Sequence, residues 1–311
     1  MALSLFSGRI TGLSIGRDGA GAAVLRRGRG LPLLDRAAFA PLPPGSLQLS
    51  WNEPHLSDPS AFVQCLATVR RSLPTSAGRT VLSLPDAGGR ILLLDFDETW
   101  KDRDEAVEMI LWRLRKNLPG DPPELHLDFQ VLQRKEGGAV RLLVAFAVRR
   151  VVEQYEHLAR EAGFLPVRVE LHQLSLIRAF ASHIEPEGAT TLVLWHGETL
   201  TVIMLHNGIP VFWRSRFLPA DRGGGTPERE LHGSWEAYRR QWPGQRTARL
   251  YVVTDANASE PGWLTEVAAL CEQQPIRLDS SDLYRRSPGV PVVGLPRERM
   301  NGAIAAAVGA L

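Results

Sequence analysis

Asp102, Asp104 and Glu105 form a carboxylate cluster of the kind that acid–base chemistry or a hard cation would need. They stand at the head of an apolar stripe, Val107, Ile110, Leu111, Leu114 and Leu118, that closes on Arg113, Arg115, Lys116 and then Pro119-Gly120. That order predicts a helix whose first turn carries anions where its dipole favours them. No histidine or further carboxylate is placed to complete a metal shell. Cys65 and Cys271 lie far apart inside helical patterns, without ligands at metal spacing, and read as buried free thiols. The eight histidines, including His172, His183 and His196, make no i, i+4 pair. There is no G-x-x-x-x-G-K-[ST] loop and no G-x-S-x-G elbow, and Gly19-Ala20-Gly21 and Gly28-Arg29-Gly30 lack the rest of a dinucleotide loop. No catalytic or metal-binding set emerges from motif and spacing.

The elements that would position a site are more legible. Thr190 to Phe217 reads as three short strands, with turns at His196-Gly197-Glu198 and His206-Asn207-Gly208. Asn207-Gly208 is a strong hairpin signal. Ile10 to Phe39 repeats the pattern of apolar runs and glycine turns, with Gly16 set against Gly197, Phe39 against Phe217, and the first hairpin three residues the longer. A helical segment follows each meander, so the chain reads as an internal duplication.

Between and beyond the meanders, strands and helices alternate, which implies α/β layers with mixed sheets. Ser57-Asp58-Pro59 starts a helix with Phe62, Leu66, Val69 and Leu73 on one face. Thr80–Pro85 and Arg90–Phe96 read as a hairpin, as do His126–Arg134 and Val140–Val148. A helix over Val151–Ala162 ends at Gly163, a strand Pro166–Leu171 leads into a helix through Leu174, Ile177 and Phe180, and Leu231, Trp235, Tyr238 and Trp242 form a further helical stripe. Arg249–Thr254 and Ile276–Leu278 are strands, and Gly262–Cys271 and Glu298–Leu311 helices.

The formal charge of +2 is the difference between 36 basic and 34 acidic residues, so bulk electrostatics favours neither nucleic acid nor an anionic membrane. Arg26-Arg27-Gly28-Arg29 reads as a solvated hairpin tip. The longest apolar runs, Leu142–Val148 and Ala303–Leu311, are too short to cross a bilayer, and Met1–Phe6 lacks a basic leader. A cytoplasmic protein without direct membrane insertion is expected.

Several segments carry a resemblance. GLSIGRDGAGAAVL, VLSLPDAGGRILLL, ILWRLRKNLPGDPPELHLDFQVL, LLVAFAVRRVVEQYEHLAREAGF, VELHQLSLIRAF and TLVLWHGETLTVIMLHNGIPVFWRSRF together resemble the PilM family, actin-like proteins of type IV pilus assembly similar to FtsA and to the cytoplasmic part of GspL. The most specific piece is Asn117-Leu118-Pro119 followed by Leu127-Asp128-Phe129-Gln130. The resemblance implies an α/β fold of actin-like, ribonuclease H-like duplicated type. Its first half would cover 1–80 and 165–187, an inserted FtsA-type subdomain 81–164, and a shortened second half 188–311.

In such folds two carboxylates, each two positions before a hairpin glycine, face metal and phosphates, and turn amides cradle the phosphate oxygens. The matching positions here are Ser14 before Gly16 and Trp195 before Gly197, with Arg17 and Asp18 in the first turn. Tryptophan holds no metal, and its bulk is expected to occupy the cleft. Asp255-Ala256 replaces the glycine pair that lets a nucleotide base approach, and Glu170 keeps an acidic position near the phosphate site. The resemblance therefore implies a non-catalytic scaffold with no cofactor, ATP and magnesium being disfavoured. Its partner would be a PilN-like or GspL/GspM-like inner-membrane protein, whose tail lies between the first half and the inserted subdomain, and self-association is open. Two alternatives stand: an ATP-binding switch using Ser14, Asp18 and Glu170, and a small-molecule kinase, for which neither meander supplies a catalytic aspartate.

Overall fold

The computed structural model describes residues 8–75, 79–97, 100–117, 124–219, 225–255, 262–288 and 297–311. The first meander is β1 (Arg9–Gly16), β2 (Gly19–Arg26) and β3 (Leu33–Pro41), followed by α1 (Pro59–Arg71) and β4 (Arg79–Leu84). Asp58 caps α1 by accepting from the Ala61 amide at 3.0 Å. Then come β5 (Gly89–Phe96), α2 (Arg103–Asn117), β6 (Leu125–Arg134), β7 (Val140–Val148), α3 (Arg149–Glu161), β8 (Leu165–Leu171) and α4 (His172–Phe180). The second meander is β9 (Ala189–His196), β10 (Thr199–His206) and β11 (Ile209–Phe217). After it lie α5 (Pro227–Gln241), β12 (Arg249–Thr254), α6 (Gly262–Cys271), β13 (Pro275–Arg277), β14 (Arg285–Arg286) and α7 (Asn301–Val308).

Two sheets carry the same topology. One runs β14-β3-β2-β1-β4-β8 and the other β11-β10-β9-β12-β13. In each, three antiparallel meander strands are continued by two parallel ones. The duplication is therefore real at the level of strand order. Its register differs from the sequence match, however. Gly16 pairs with Gly19 and His196 with Thr199, so His196 takes the place of Gly16, Trp195 that of Ile15, and Leu194 that of Ser14. The extra length lies in the β2–β3 turn rather than the β1–β2 turn, because β2 and β3 are separated by residues 27–32 and β10 and β11 only by Asn207-Gly208. Both of those residues have positive φ, 49° and 77°, which the twist of a tight hairpin demands.

Helices α4 and α7 fill the space between the two sheets, packing Leu176, Phe180, Ala303 and Ile304 against Ile10, Leu25 and Val81 on one side and Leu192, Leu194 and Val253 on the other. Helices α1 and α3 cover the far face of the first sheet, and α5 and α6 that of the second. Small residues let α7 approach closely: a Cβ on Gly12 would lie 1.9 Å from the Ala303 carbonyl. A separate lobe is built from the sheet β5-β7-β6 and α2, around Phe96, Ile110, Leu114 and Phe146.

Four expectations need correction. Strands β4 and β5 are not a hairpin: a short turn over Asp86–Gly88 sends the chain from the first sheet into the lobe. All but the first residue of β4 is buried, as a central strand between parallel neighbours requires. The inserted segment is accordingly shorter than 81–164, since β4 and α3 both belong to the first half. The stretch 188–311 is not confined to the second half either, because β14 pairs with Leu33-Leu34 of the first sheet. The last helix starts at Asn301, after a 3-10 turn over Arg297–Met300, rather than at Glu298.

Asp104 and Glu105 stand in the first turn of α2 as expected, while Asp102 lies just before it as a cap: its carboxylate accepts from the Glu105 amide at 3.0 Å, and Glu105 accepts in return from the Lys101 amide at 2.5 Å. Both cysteines are buried and free. Leu118, Pro119 and Gly120 lie outside the described residues.

Candidate functional site

The turns of the two meanders face each other across a cleft of about 800 Å³. Ser14, Gly16, Arg17 and Asp18 line it from one side, and His196, Gly197, Glu198 and Asp255 from the other. Its size is in the range of small-molecule sites. Trp195 does not fill it. Successive residues of a strand face opposite ways, so Trp195 points to the outer helix layer and stacks on Trp263, ring centroids 6.2 Å apart. The cleft-facing counterpart of Ser14 is Leu194, buried in the central layer. Neither meander thus places a carboxylate where a metal–phosphate complex would need one.

Glu170 is also elsewhere. It is buried outside the cleft lining, with Arg178 at 2.5 Å, Arg168 at 3.5 Å and a hydrogen bond from Ser175 at 2.9 Å. It anchors β8 to α4. Ala256 lies outside the described residues.

The acidic groups that do reach the cleft are already partnered. Asp18 pairs with Arg299 at 2.9 Å, and Glu198 with Arg17 at 2.6 Å. Asp255 forms an ion pair with His196, accepts from the Asn301 side chain at 2.9 Å and from the Gly197 amide at 3.0 Å. Burial opposes the charge on Asp255, but His196, Asn301 and that amide outweigh it and hold its carboxyl below the usual range. Burial likewise opposes a charge on His196, and Asp255 with Asp86 overcomes it, raising its pKa.

Asp86 and His172 complete the floor. Asp86 is buried and accepts from the Gln173 amide at 3.0 Å, which caps α4 from another element. Burial pushes its pKa up to about 6. His172 bonds Ser83 through Nδ1 and the Ile15 carbonyl through Nε2, each at 2.8 Å, so Nε2 donates and Nδ1 accepts. Burial, with the neighbouring His196 charge, takes its pKa down to about 3 and keeps the ring neutral. The His172 and His196 rings meet edge to face, 4.5 Å apart. No group of three or more His, Cys, Asp or Glu among the described residues could hold a metal ion.

The sequence thus singled out Ser14, Gly16, Arg17, Asp18, Gly197 and Asp255, which the fold brings together, along with Trp195 and Glu170, which it does not. It missed Asp86, His172, His196, Arg299 and Asn301. Of these, His196 had a local signal, standing beside the turn glycine, while the others meet the cleft only through sheet order and the return of α7.

No protein-family model matches the chain, and no curated protein matches it by sequence. Solved structures do. The PilM-PilN type IV pilus biogenesis complex superposes over 96% of this chain and 96% of its own, with a TM-score of 0.77 at 18% identity. A Bacteroides thetaiotaomicron protein of actin-like ATPase fold and unknown function matches over 92% and 95%, with a TM-score of 0.53 at 8% identity. The cytoplasmic domain of EpsL, an inner-membrane component of the Vibrio cholerae type II secretion system, matches over 95% and 94%, with a TM-score of 0.49 at 12% identity. The chain therefore has an α/β actin-like fold, and among its described residues no helix is long and apolar enough to cross a membrane.

Proposed function

We propose that this chain is a non-catalytic actin-like scaffold at the cytoplasmic face of a pilus or secretion machine, docking the cytoplasmic tail of a PilN-like membrane protein. The observation that carries the non-catalytic part is the pairing of Asp255 with Gly197. A phosphate bound at the second meander would take the N–H groups of that turn, and an internal carboxylate already takes one of them. Asp255 supplies a permanent anion in the cleft, neutralised by His196. The docking part is supported by the likeness over nearly the whole chain to the PilM-PilN complex. The expected seat for the tail is the groove between the first half and the β5-β7-β6 lobe.

Calorimetric titration with ATP and magnesium tests the first part: no heat of binding at millimolar nucleotide is expected, and micromolar binding would overturn it. Recovery of pilus or secretion components with the tagged chain tests the second.

One observation favours a different reading. Asp86 is a cleft carboxylate outside either meander with a pKa raised to about 6, which is the range a general base for phosphoryl transfer would use. A kinase acting on a small molecule would show phosphate transfer from ATP that Asp86→Asn abolishes.

A further inference from the structure

The near-neutral charge of the whole chain conceals a strongly basic end. Arg9, Arg26, Arg27, Arg29, Arg285 and Arg286 come together at one end of the first sheet, although they are scattered in sequence. Arg9 sits opposite Arg26, Arg26 opposite Leu33, and Leu33 beside Arg285, so the row crosses four adjacent strands. At the usual strand spacing that is a span of about 15 Å. Arg27 and Arg29 extend it into the exposed β2–β3 turn.

Neutralisation is incomplete. Asp35 is bonded within the row and is shared by Arg9 at 2.8 Å and Arg26 at 2.9 Å. Arg27 donates to the Leu311 carbonyl. Arg29, Arg285 and Arg286 are exposed and have no acidic partner among the described residues. A two-residue strand held by main-chain bonds, Arg285 to Pro32 at 2.8 Å and Ser287 to Leu34 at 3.0 Å, fixes two of these arginines on the sheet edge.

From this surface we infer that the β14 end of the first sheet binds an anionic bilayer, its arginines meeting lipid phosphates. Several unpaired guanidinium groups spread over a broad sheet end suit an extended array of phosphates. The described residues there offer no exposed aromatic ring on which a base could stack and no helix to enter a groove, and both features would point to nucleic acid. The inference does not depend on the docking of a partner tail, and it concerns surface attachment, not insertion.

Flotation of the full chain with vesicles is the test. Vesicles of phosphatidylglycerol and phosphatidylcholine should carry the protein, pure phosphatidylcholine should not, and 0.5 M NaCl should release it. Each neutralised arginine should weaken partitioning roughly fivefold, so a triple variant Arg29→Gln, Arg285→Gln, Arg286→Gln should bind on the order of a hundredfold less. The matching triple Lys variant, which keeps the charge, should bind nearly as well and guards against misfolding of the Gln form. Equal binding to neutral vesicles, no binding at all, or an undiminished and folded Gln variant would overturn the inference. So would tighter binding of duplex DNA or polyglutamate than of the anionic vesicles, which would hand the patch to another polyanion.

Discussion

Arg17 Nη1 and Glu198 Oε1 lie 2.6 Å apart, joining the turn of the first meander to the turn of the second. In an actin-like fold these turns face the ligand between the halves. Here a side-chain pair spans the same gap, with Arg299–Asp18 and Asp255–Asn301 binding α7 and its lead-in turn to the two sides. The chain itself bridges the cleft at these points. Arg17 and Glu198 are 39% and 22% exposed, so water screens the pair and Glu198→Gln should cost less than about 1 kcal/mol of stability. Its effect should be local: faster hydrogen exchange at the Gly197 and Glu198 amides, reproduced in wild type by 0.5 M salt. Unchanged exchange would mean that the pair does not hold the turns.

Asp86 and His172 make opposite contributions to stability in acid. Between about pH 4 and 6 the folded protein holds a proton on Asp86, whose pKa is about 6, that the unfolded chain lacks. Over the same window it lacks a proton on His172, whose pKa is about 3, that the unfolded chain holds. Acidification therefore favours folding through Asp86 and opposes it through His172, and the two slopes nearly cancel. Asp86→Asn keeps an acceptor for the Gln173 amide and removes only the first slope. Urea denaturation from pH 6 to 4 should then show the variant losing stability faster than wild type by about 1.4 kcal/mol per pH unit. Parallel curves would show that Asp86 titrates normally.

What was legible in the sequence follows from what is local. The meanders, the cap at Asp58, the acidic start of α2 and the Asn207-Gly208 turn depend on neighbours a few residues away, and each stands where its residues put it. The β4–β5 hairpin failed because two apolar runs across a glycine turn carry no mark of which sheet each joins. Trp195 was misplaced by one position, and a one-residue slip in a strand exchanges its faces. Asn301 and Arg299 were invisible as cleft residues, since only the return of α7 between the sheets brings them to the turns.

Ser14 and Gly302 meet where α7 crosses β1. A Cβ on Gly302 would lie 2.4 Å from Ser14 Oγ and 3.2 Å from His172 Nδ1, and His172 is held in place by bonds at both nitrogens. Gly302→Ala should therefore destabilise by about 1–3 kcal/mol through overpacking. Adding Ser14→Gly removes the closer clash, so thermal melts of the double variant should recover part of the loss. Additive losses would place the strain at His172 instead.

Gln173 is the polar joint between the halves. Its side chain, buried on α4, accepts from the Trp213 indole at 2.9 Å, from Ser215 at 2.9 Å and from Thr201 at 3.4 Å, all on the second sheet, while its amide donates to Asp86 on the first side. Gln173→Leu preserves volume and helix propensity but leaves the indole N–H without its acceptor, and Ser215 and Thr201 with only each other at 3.0 Å. An unsatisfied buried donor costs about 1–3 kcal/mol, and because Trp213 is only partly buried a loss at the lower end of that range is expected in urea denaturation. Gln173→Glu, which can still accept from all three donors but brings a negative charge close to Asp86, should lose stability mainly above pH 6, where Asp86 ionises. If the Leu variant instead matched wild type, the two sheets would be held by the apolar layer of α4 and α7 alone, and the hydrogen bonds of Gln173 would only set their alignment.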